Sequence, residues 1–169
     1  MSKWEITKIG KKVDLKNPIF IAGLPGIGNV GKIAVDFIID EIGAKKIYEI
    51  FSYSFPHSVF VNEKNLVELP SIAIYHKKAG KRDVLMMAGD IQPTDEENCY
   101  TFCEKILDIC VENKCTEVVT LGGIGLHSEP KKPKLYCTSY DKNLLLDFKK
   151  GFDINEKLSG VVGPIIGVS

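Results

Sequence analysis

Gly26, Gly28 and Gly31, followed by Lys32, are the residues of this chain whose type and spacing could do chemistry. They lie in Ile19–Gly43, IFIAGLPGIGNVGKIAVDFIIDEIG, which reads as an apolar strand, a glycine-rich turn and an amphipathic helix. The three glycines match the dinucleotide fingerprint G-x-G-x-x-G, and Gly26 to Lys32 match most of a phosphate-binding P-loop. The chemistry on offer is anion binding. A helix N-terminus turns backbone N–H groups and partial positive charge outward, and glycines let a phosphate come close. Glu49 lies at the right distance downstream to meet a ribose hydroxyl. Two features oppose this reading. A P-loop needs Ser or Thr after its lysine to hold magnesium, and here that residue is Ile33. A tight strand-to-helix turn also wants glycine whether or not a ligand is present.

A second cluster, Gly122-Gly123-Ile124-Gly125, leaves a later strand. In an open α/β sheet the C-terminal strand ends are where ligands bind. Asp90 follows a third strand and belongs to the same edge, and His127 lies just past the second cluster. If a ligand site exists, it is built from Gly26, Gly28, Asn29, Gly31, Asp90, Gly123 and His127, with Asp90 or His127 as acid–base group. That arrangement suits an enzyme or binder acting on a nucleotide, a nucleoside or another phosphate compound.

The remaining candidates are bland. His57 and His76 fall in or beside hairpin strands, as structural or solvated residues. Asp95, Glu96 and Glu97 lead a helix, where its dipole favours them. Lys131, Lys132 and Lys134 read as a solvated loop. No serine has a nucleophile-elbow context. The five cysteines, Cys99, Cys103, Cys110, Cys115 and Cys137, form no C-x-x-C pair and read as reduced, buried thiols. No catalytic residue, metal site or cofactor is assigned.

The elements that must position these residues follow from periodicity. Pro18–Leu24 is a continuous apolar run suited to a buried strand. Val30, Ile33, Ala34, Phe37 and Ile38 make a helical stripe, with Lys32, Asp36 and Asp40 outside and Gly43 as the stop. Lys46–Tyr53 is the next strand, so residues 18–53 read as one βαβ unit. Two hairpins follow. The first joins His57–Val61 to Leu66–Leu69, and the second joins Ile72–His76 to Asp83–Ala88 around Gly80. A Rossmann half would continue βα here. Pro93 and Thr94 open a long helix, with Thr94 and Glu97 at capping-box spacing. Its expected buried face is Tyr100, Cys103, Ile106, Leu107 and Cys110. Glu117–Leu121 and Leu135–Tyr140 read as strands, His127–Lys134 as an exposed loop, and Asp141 as the cap of a short helix ending near Gly151.

The whole is a 169-residue α/β chain of single-domain size, 44% hydrophobic and 26% charged. Its formal net charge is zero and its only arginine is Arg82, which gives neither a basic field nor forked recognition of nucleic acid. No run reaches the roughly 18 apolar residues of a membrane span. The opening MSKWEITKIGKK has no secretory apolar core. These features point to a cytoplasmic protein with neither nucleic acid nor membrane as partner.

The turn GLPGIGNVGKIA resembles the signature of the proteasome assembly chaperone 2 family, in its archaeal branch. Tyr53–Pro56, LVELPSIAIYH, the Gly89–Pro93 turn, TLGGIG at residues 120–125 and the final SGVVGPIIG are similar to that family in the same order. The resemblance covers about residues 15–169. It implies a three-layer α/β sandwich around a mixed, largely parallel sheet, similar to the nucleoside phosphorylase fold. It also implies a non-enzymatic role, in which a homo-oligomer binds proteasome α-subunits and helps them assemble. In this family the glycine loop is similar to a structural turn. Some members engage the proteasome through a C-terminal hydrophobic-tyrosine-any tail. The apolar final run GVVGPIIGVS leads us to expect a further C-terminal helix and tail over it. A purely oligomeric scaffold is the third possibility.

Overall fold

A computed structural model of the chain describes residues 4–10, 13–93, 95–125 and 131–154. They group into two units, 4–123 and 124–154. In the first unit, six strands form one sheet: β1 (Trp4–Lys8), β2 (Ile19–Gly23), β3 (Lys45–Ser52), β6 (Ile72–Ala79), β7 (Arg82–Gly89) and β8 (Glu117–Thr120). β4 (Phe60–Val61) and β5 (Val67–Glu68) pair as a separate hairpin. Helix α1 (Val30–Ile42) follows β2 through a short 3-10 turn, Ile27–Asn29, and α2 (Glu96–Glu112) follows β7.

The sheet order is β1-β3-β6-β7-β2-β8. It is mixed, as expected, but not largely parallel. Among the described strands only β7·β2 and β2·β8 pair in parallel, while β1·β3, β3·β6 and β6·β7 are antiparallel. The long β6–β7 hairpin causes this by inserting between the strands on either side of α1. The βαβ unit therefore survives only in direction. β3 runs the same way as β2 but lies three positions away.

Strand alternation divides the core into two layers. Phe20, Ala22, Leu85 and Met87 face α2, where Phe102, Cys103, Ile106, Ile109 and Cys110 meet them. Met86 and Ala88 face α1, where Val35 and Ile39 are buried. This is the three-layer sandwich. Each fully buried Phe, Leu or Met side chain contributes roughly 1.5–3 kcal/mol before entropy is charged. Trp4 ties β1 to α2: its ring lies 5.0 Å from Phe102 and 5.6 Å from Phe55, and its indole N–H donates to Thr101 Oγ1 at 3.1 Å.

The buried face of α1 differs from the expected one, and that of α2 matches it in Cys103, Ile106 and Cys110. α1 buries Gly31, Val35 and Ile39, whereas Val30, Ile33 and Phe37 are exposed. α2 buries Cys99, Phe102, Cys103, Ile106, Ile109 and Cys110, and Tyr100 is exposed. The N-cap of α2 is Asp95, whose carboxylate accepts from the Asn98 amide at 3.0 Å. The cap thus sits one residue past Thr94, which lies outside the described residues. Gly43 ends α1 with φ 59°, as its position suggested.

In the second unit, α3 (Lys142–Gly151) starts at the expected cap, with Asp141 Oδ1 accepting from the Asn143 amide at 2.7 Å. Leu135–Tyr140 is not a strand; Leu135 makes an isolated parallel bridge to Ile154. His127 and the run GVVGPIIGVS lie outside the described residues.

Candidate functional site

β2 delivers Gly23 to the sheet end, and the chain turns through Leu24-Pro25-Gly26 into the 3-10 turn and α1. The Asn29 amide donates to the Gly26 carbonyl at 3.0 Å and closes that turn. Gly28 has φ 63° and Asn29 φ 51°, both left-handed, the region where glycine and asparagine are tolerated.

Three glycines exist so that backbone can touch backbone. A Cβ on Gly23 would overlap the Gly31 carbonyl. A Cβ on Gly31 would overlap the Leu121 carbonyl at the exit of β8, and one on Gly123 would overlap the Ile27 carbonyl in the 3-10 turn. The Leu121 amide donates to the Ala22 carbonyl at 2.8 Å, which prolongs the β2–β8 ladder into this contact. The two glycine clusters therefore face each other, as their shared sheet edge suggested, and they interlock. Gly26 differs: a Cβ there meets nothing within 4 Å, and its backbone is extended.

Asp90 follows β7 at the same end of the sheet. Its carboxylate lies 3.7 Å from Lys32 Nζ, which also donates to Asp36 at 2.8 Å. The P-loop-like lysine is thus engaged by carboxylates in partly exposed pairs, each worth about 0–1 kcal/mol. Gly26, Gly28, Asn29, Gly31, Asp90 and Gly123 come together around this end. Glu49 does not join them. β3 stands three strand spacings from β2, roughly 14 Å, and Glu49 accepts from Lys46 Nζ at 3.0 Å instead. The dinucleotide reading loses its ribose-binding acid.

His57 is exposed. His76 has a structural partner: its Nε2 lies 2.6 Å from Asp83 Oδ1, and Asp83 Oδ2 accepts from the Lys16 amide at 2.7 Å. Asp83 is only 4% exposed. Burial pushes its carboxyl up, but the bonds from His76 and Lys16 outweigh burial and hold it below its ordinary value. Concavities of about 210 and 310 Å³ lie around Lys8, Tyr48 and Glu112, away from the glycine turns. Among the described residues no group of three His, Cys, Asp or Glu side chains could hold a metal ion. No helix among them is long and apolar enough to cross a membrane.

The sequence reading missed an apolar surface. Ile27, Val30, Ile33 and Phe37 run along the outer side of the 3-10 turn and α1, and Phe37 is 64% exposed. The β4–β5 hairpin shows Val59, Phe60, Val61, Leu66, Val67 and Leu69, all exposed. A two-stranded hairpin is marginal alone in water. This one is held by a tight turn in which Asn62 Oδ1 accepts from the Lys64 and Leu66 amides. Scattered exposed apolar residues are ordinary, but contiguous sets mark contact surfaces.

Comparison with known proteins agrees with this architecture. PbaB of Pyrococcus furiosus, described as an archaeal proteasome activator, has the same fold with a TM-score of 0.88 and 29% identity, over 99% of this chain and 75% of that one. PbaA of Pyrococcus furiosus, described as an archaeal homolog of proteasome-assembly chaperone, gives a TM-score of 0.73 at 20% identity, over 95% of this chain and 63% of that one. The uncharacterized protein MJ1210 of Methanocaldococcus jannaschii is 31% identical over 165 residues. That alignment takes in 97% of this chain, which spans 62% of the relative's length. The PAC2 family model matches residues 20–168, and the chain belongs to the PAC2 family.

Proposed function

We propose that this protein is a non-enzymatic, proteasome assembly chaperone-like protein of the cytoplasm, which binds proteasome α-subunits as a homo-oligomer and helps them assemble. The observation that carries this reading is the exposed apolar surface of α1 and the β4–β5 hairpin. A chaperone of this kind acts by presenting surface, and apolar surface left in water is what a partner subunit covers. The structural relatives supply the partner class, since one is described as a proteasome activator and another as homologous to an assembly chaperone. The alternative is an enzyme or binder for nucleotides or other phosphate compounds at the glycine-rich strand exits. It draws less support, because Gly31 and Gly123 are occupied by backbone contacts and Lys32 by carboxylates.

The test is capture of proteasome α- and β-subunits by the full-length protein, with complexes weighed by native mass spectrometry. We expect α-subunit complexes and a homo-oligomeric free protein. Phe60→Asp with Val67→Asp is expected to abolish capture and leave the melting temperature within about 2 °C of the parent, since both sites are exposed. Loss of capture without unfolding supports the surface. Absence of capture by the unaltered protein, together with a thermal shift from a nucleotide or nucleoside panel, overturns the reading in favour of the alternative.

A further inference from the structure

Helix α2 ends in a six-residue cap whose two closing positions are both cysteine. The Lys114 amide donates to the Val111 carbonyl at 3.0 Å, and the Cys115 amide donates to the Cys110 carbonyl at 2.9 Å. Lys114 takes the left-handed conformation, φ 57°. This pair of bonds is the Schellman motif, which folds the chain back so that its first and last residues meet. An apolar contact usually fills that place. Here Cys110, buried in the core, and Cys115, half-buried against the same cluster, fill it. The Cys115 amide bond to the Cys110 carbonyl holds the two residues together at this cap.

We propose that Cys110 and Cys115 are a modification site: a dithiol that a low-molecular-weight disulfide of the oxidised glutathione class converts to an intrachain disulfide across the end of α2. Cys115 reacts first, because it is the more exposed of the two. The neighbouring Cys110 also holds its thiol below the ordinary value against the pull of burial, whereas the neighbouring Cys115, and then burial, push the Cys110 thiol up. The Cys115 thiolate attacks one sulfur of glutathione disulfide, the S–S bond breaks, and one glutathione leaves as thiolate and takes up a proton. Cys115 then carries a mixed disulfide. The Cys110 thiol gives its proton to solvent, and its sulfur attacks Cys115 Sγ. The mixed disulfide breaks and the second glutathione leaves. Two protein thiols are oxidised, one glutathione disulfide is reduced to two thiols, and two electrons pass between them.

The ring closed this way spans six residues and encloses Lys114, a residue without glycine's freedom in a left-handed position. It joins the last turn of α2 to the segment entering β8, where the Thr116 amide donates to the Pro18 carbonyl at 2.9 Å. The reduced cap opens by fraying; the oxidised cap cannot.

The test uses the full chain, native and under mild conditions, equilibrated with glutathione buffers of increasing oxidised fraction, then acid-quenched, unfolded and alkylated. Of its five cysteines, we expect Cys110 and Cys115 to vanish together from the alkylated pool and to appear as one internally linked peptide, with Cys99, Cys103 and Cys137 still alkylated. Cys110→Ala is expected to accumulate a stable glutathione adduct on Cys115, and Cys115→Ser to abolish the reaction at Cys110. Slowed amide exchange at Lys114 and Cys115 in the oxidised protein is the structural readout. Full alkylation of all five cysteines across the buffers, or a glutathione adduct on Cys115 of the unaltered protein that never resolves, overturns the proposal. Both readings come from the unaltered protein and do not depend on whether a variant folds.

Discussion

Gly31 has no room for a side chain, because the Leu121 carbonyl occupies the space where a Cβ would stand. Gly31→Ala is therefore expected to cost about 1–3 kcal/mol, as overpacking does, whereas Gly26→Ala is expected to stay within about 0.5 kcal/mol. Urea midpoints of the two variants check this, and equal losses would sink it. The spacing of these glycines was legible in the sequence, but their reason was not. Close backbone approach to a phosphate and close approach to another turn demand the same residue, and the deciding atoms belong to Leu121 and Ile27, far from one another in the chain. Asp83 shows the same limit. Nothing local marks it out, yet it joins His76 and the Lys16 amide under burial. Its carboxyl is held below the ordinary 3.8. Its stabilisation is therefore complete above that value and lost as pH falls through the depressed one. We expect Asp83→Asn to cost about 1.5–3 kcal/mol at neutral pH. It should also flatten the loss of stability as pH falls below about 3.8, measured by urea titration. Parallel pH profiles for the variant and the parent would contradict this.

At the level of elements, both helices were placed well; α1 was faced wrongly, and α2 only in part, since Cys103, Ile106 and Cys110 are buried as expected. α1 carries Val30, Ile33 and Phe37 on one side and Val35, Ile38, Ile39 and Ile42 on another, so it is apolar almost all round and periodicity could not choose between the sides. The choice is made by Gly23 and Gly31, which admit the helix backbone against the sheet from one direction only. Val35→Ala is expected to cost roughly 1–3 kcal/mol, since Val35 is fully buried. Phe37→Lys is expected to leave stability within about 0.5 kcal/mol and to weaken self-association or α-subunit capture. Thermal melts and native masses of the two variants separate these effects. A large stability loss from Phe37→Lys would show that the outer stripe is core. The cap of α2 was missed by one residue because Thr94 and Asp95 are both good cap types, and the Asp95 carboxylate accepts from the Asn98 amide.

For the whole molecule, strand existence was legible except at Leu135–Tyr140, and strand order was not. Each strand is a local apolar run with its own turn signals. The order depends on where the β6–β7 hairpin inserts, and no local run records that. The expected dominance of parallel pairing came from the family resemblance, and it holds only for the half of the sheet that the two glycine turns serve. The other half is built from a hairpin and a returning β1, which supplies the antiparallel majority.

That order also sets a timetable. β6 and β7 can pair across the tight turn at Gly80, with full register from Ile72↔Gly89 to Ala79↔Arg82. β2 must wait for partners about 65 and 98 residues further on, since Ile19 pairs with Val84 and with Glu117. Loop closure of that length is paid before its contacts repay it, which slows folding. A nascent chain leaving the ribosome therefore holds β2, the strand in the middle of the parallel half, unpaired on one side until β8 has been made. Ile74→Val is expected to slow refolding, and Val119→Ala to act mainly by speeding unfolding, in stopped-flow chevrons. The side of β2 that β8 covers is also the place where the two glycine turns interlock, so the last of the described strands to arrive is the one that closes them.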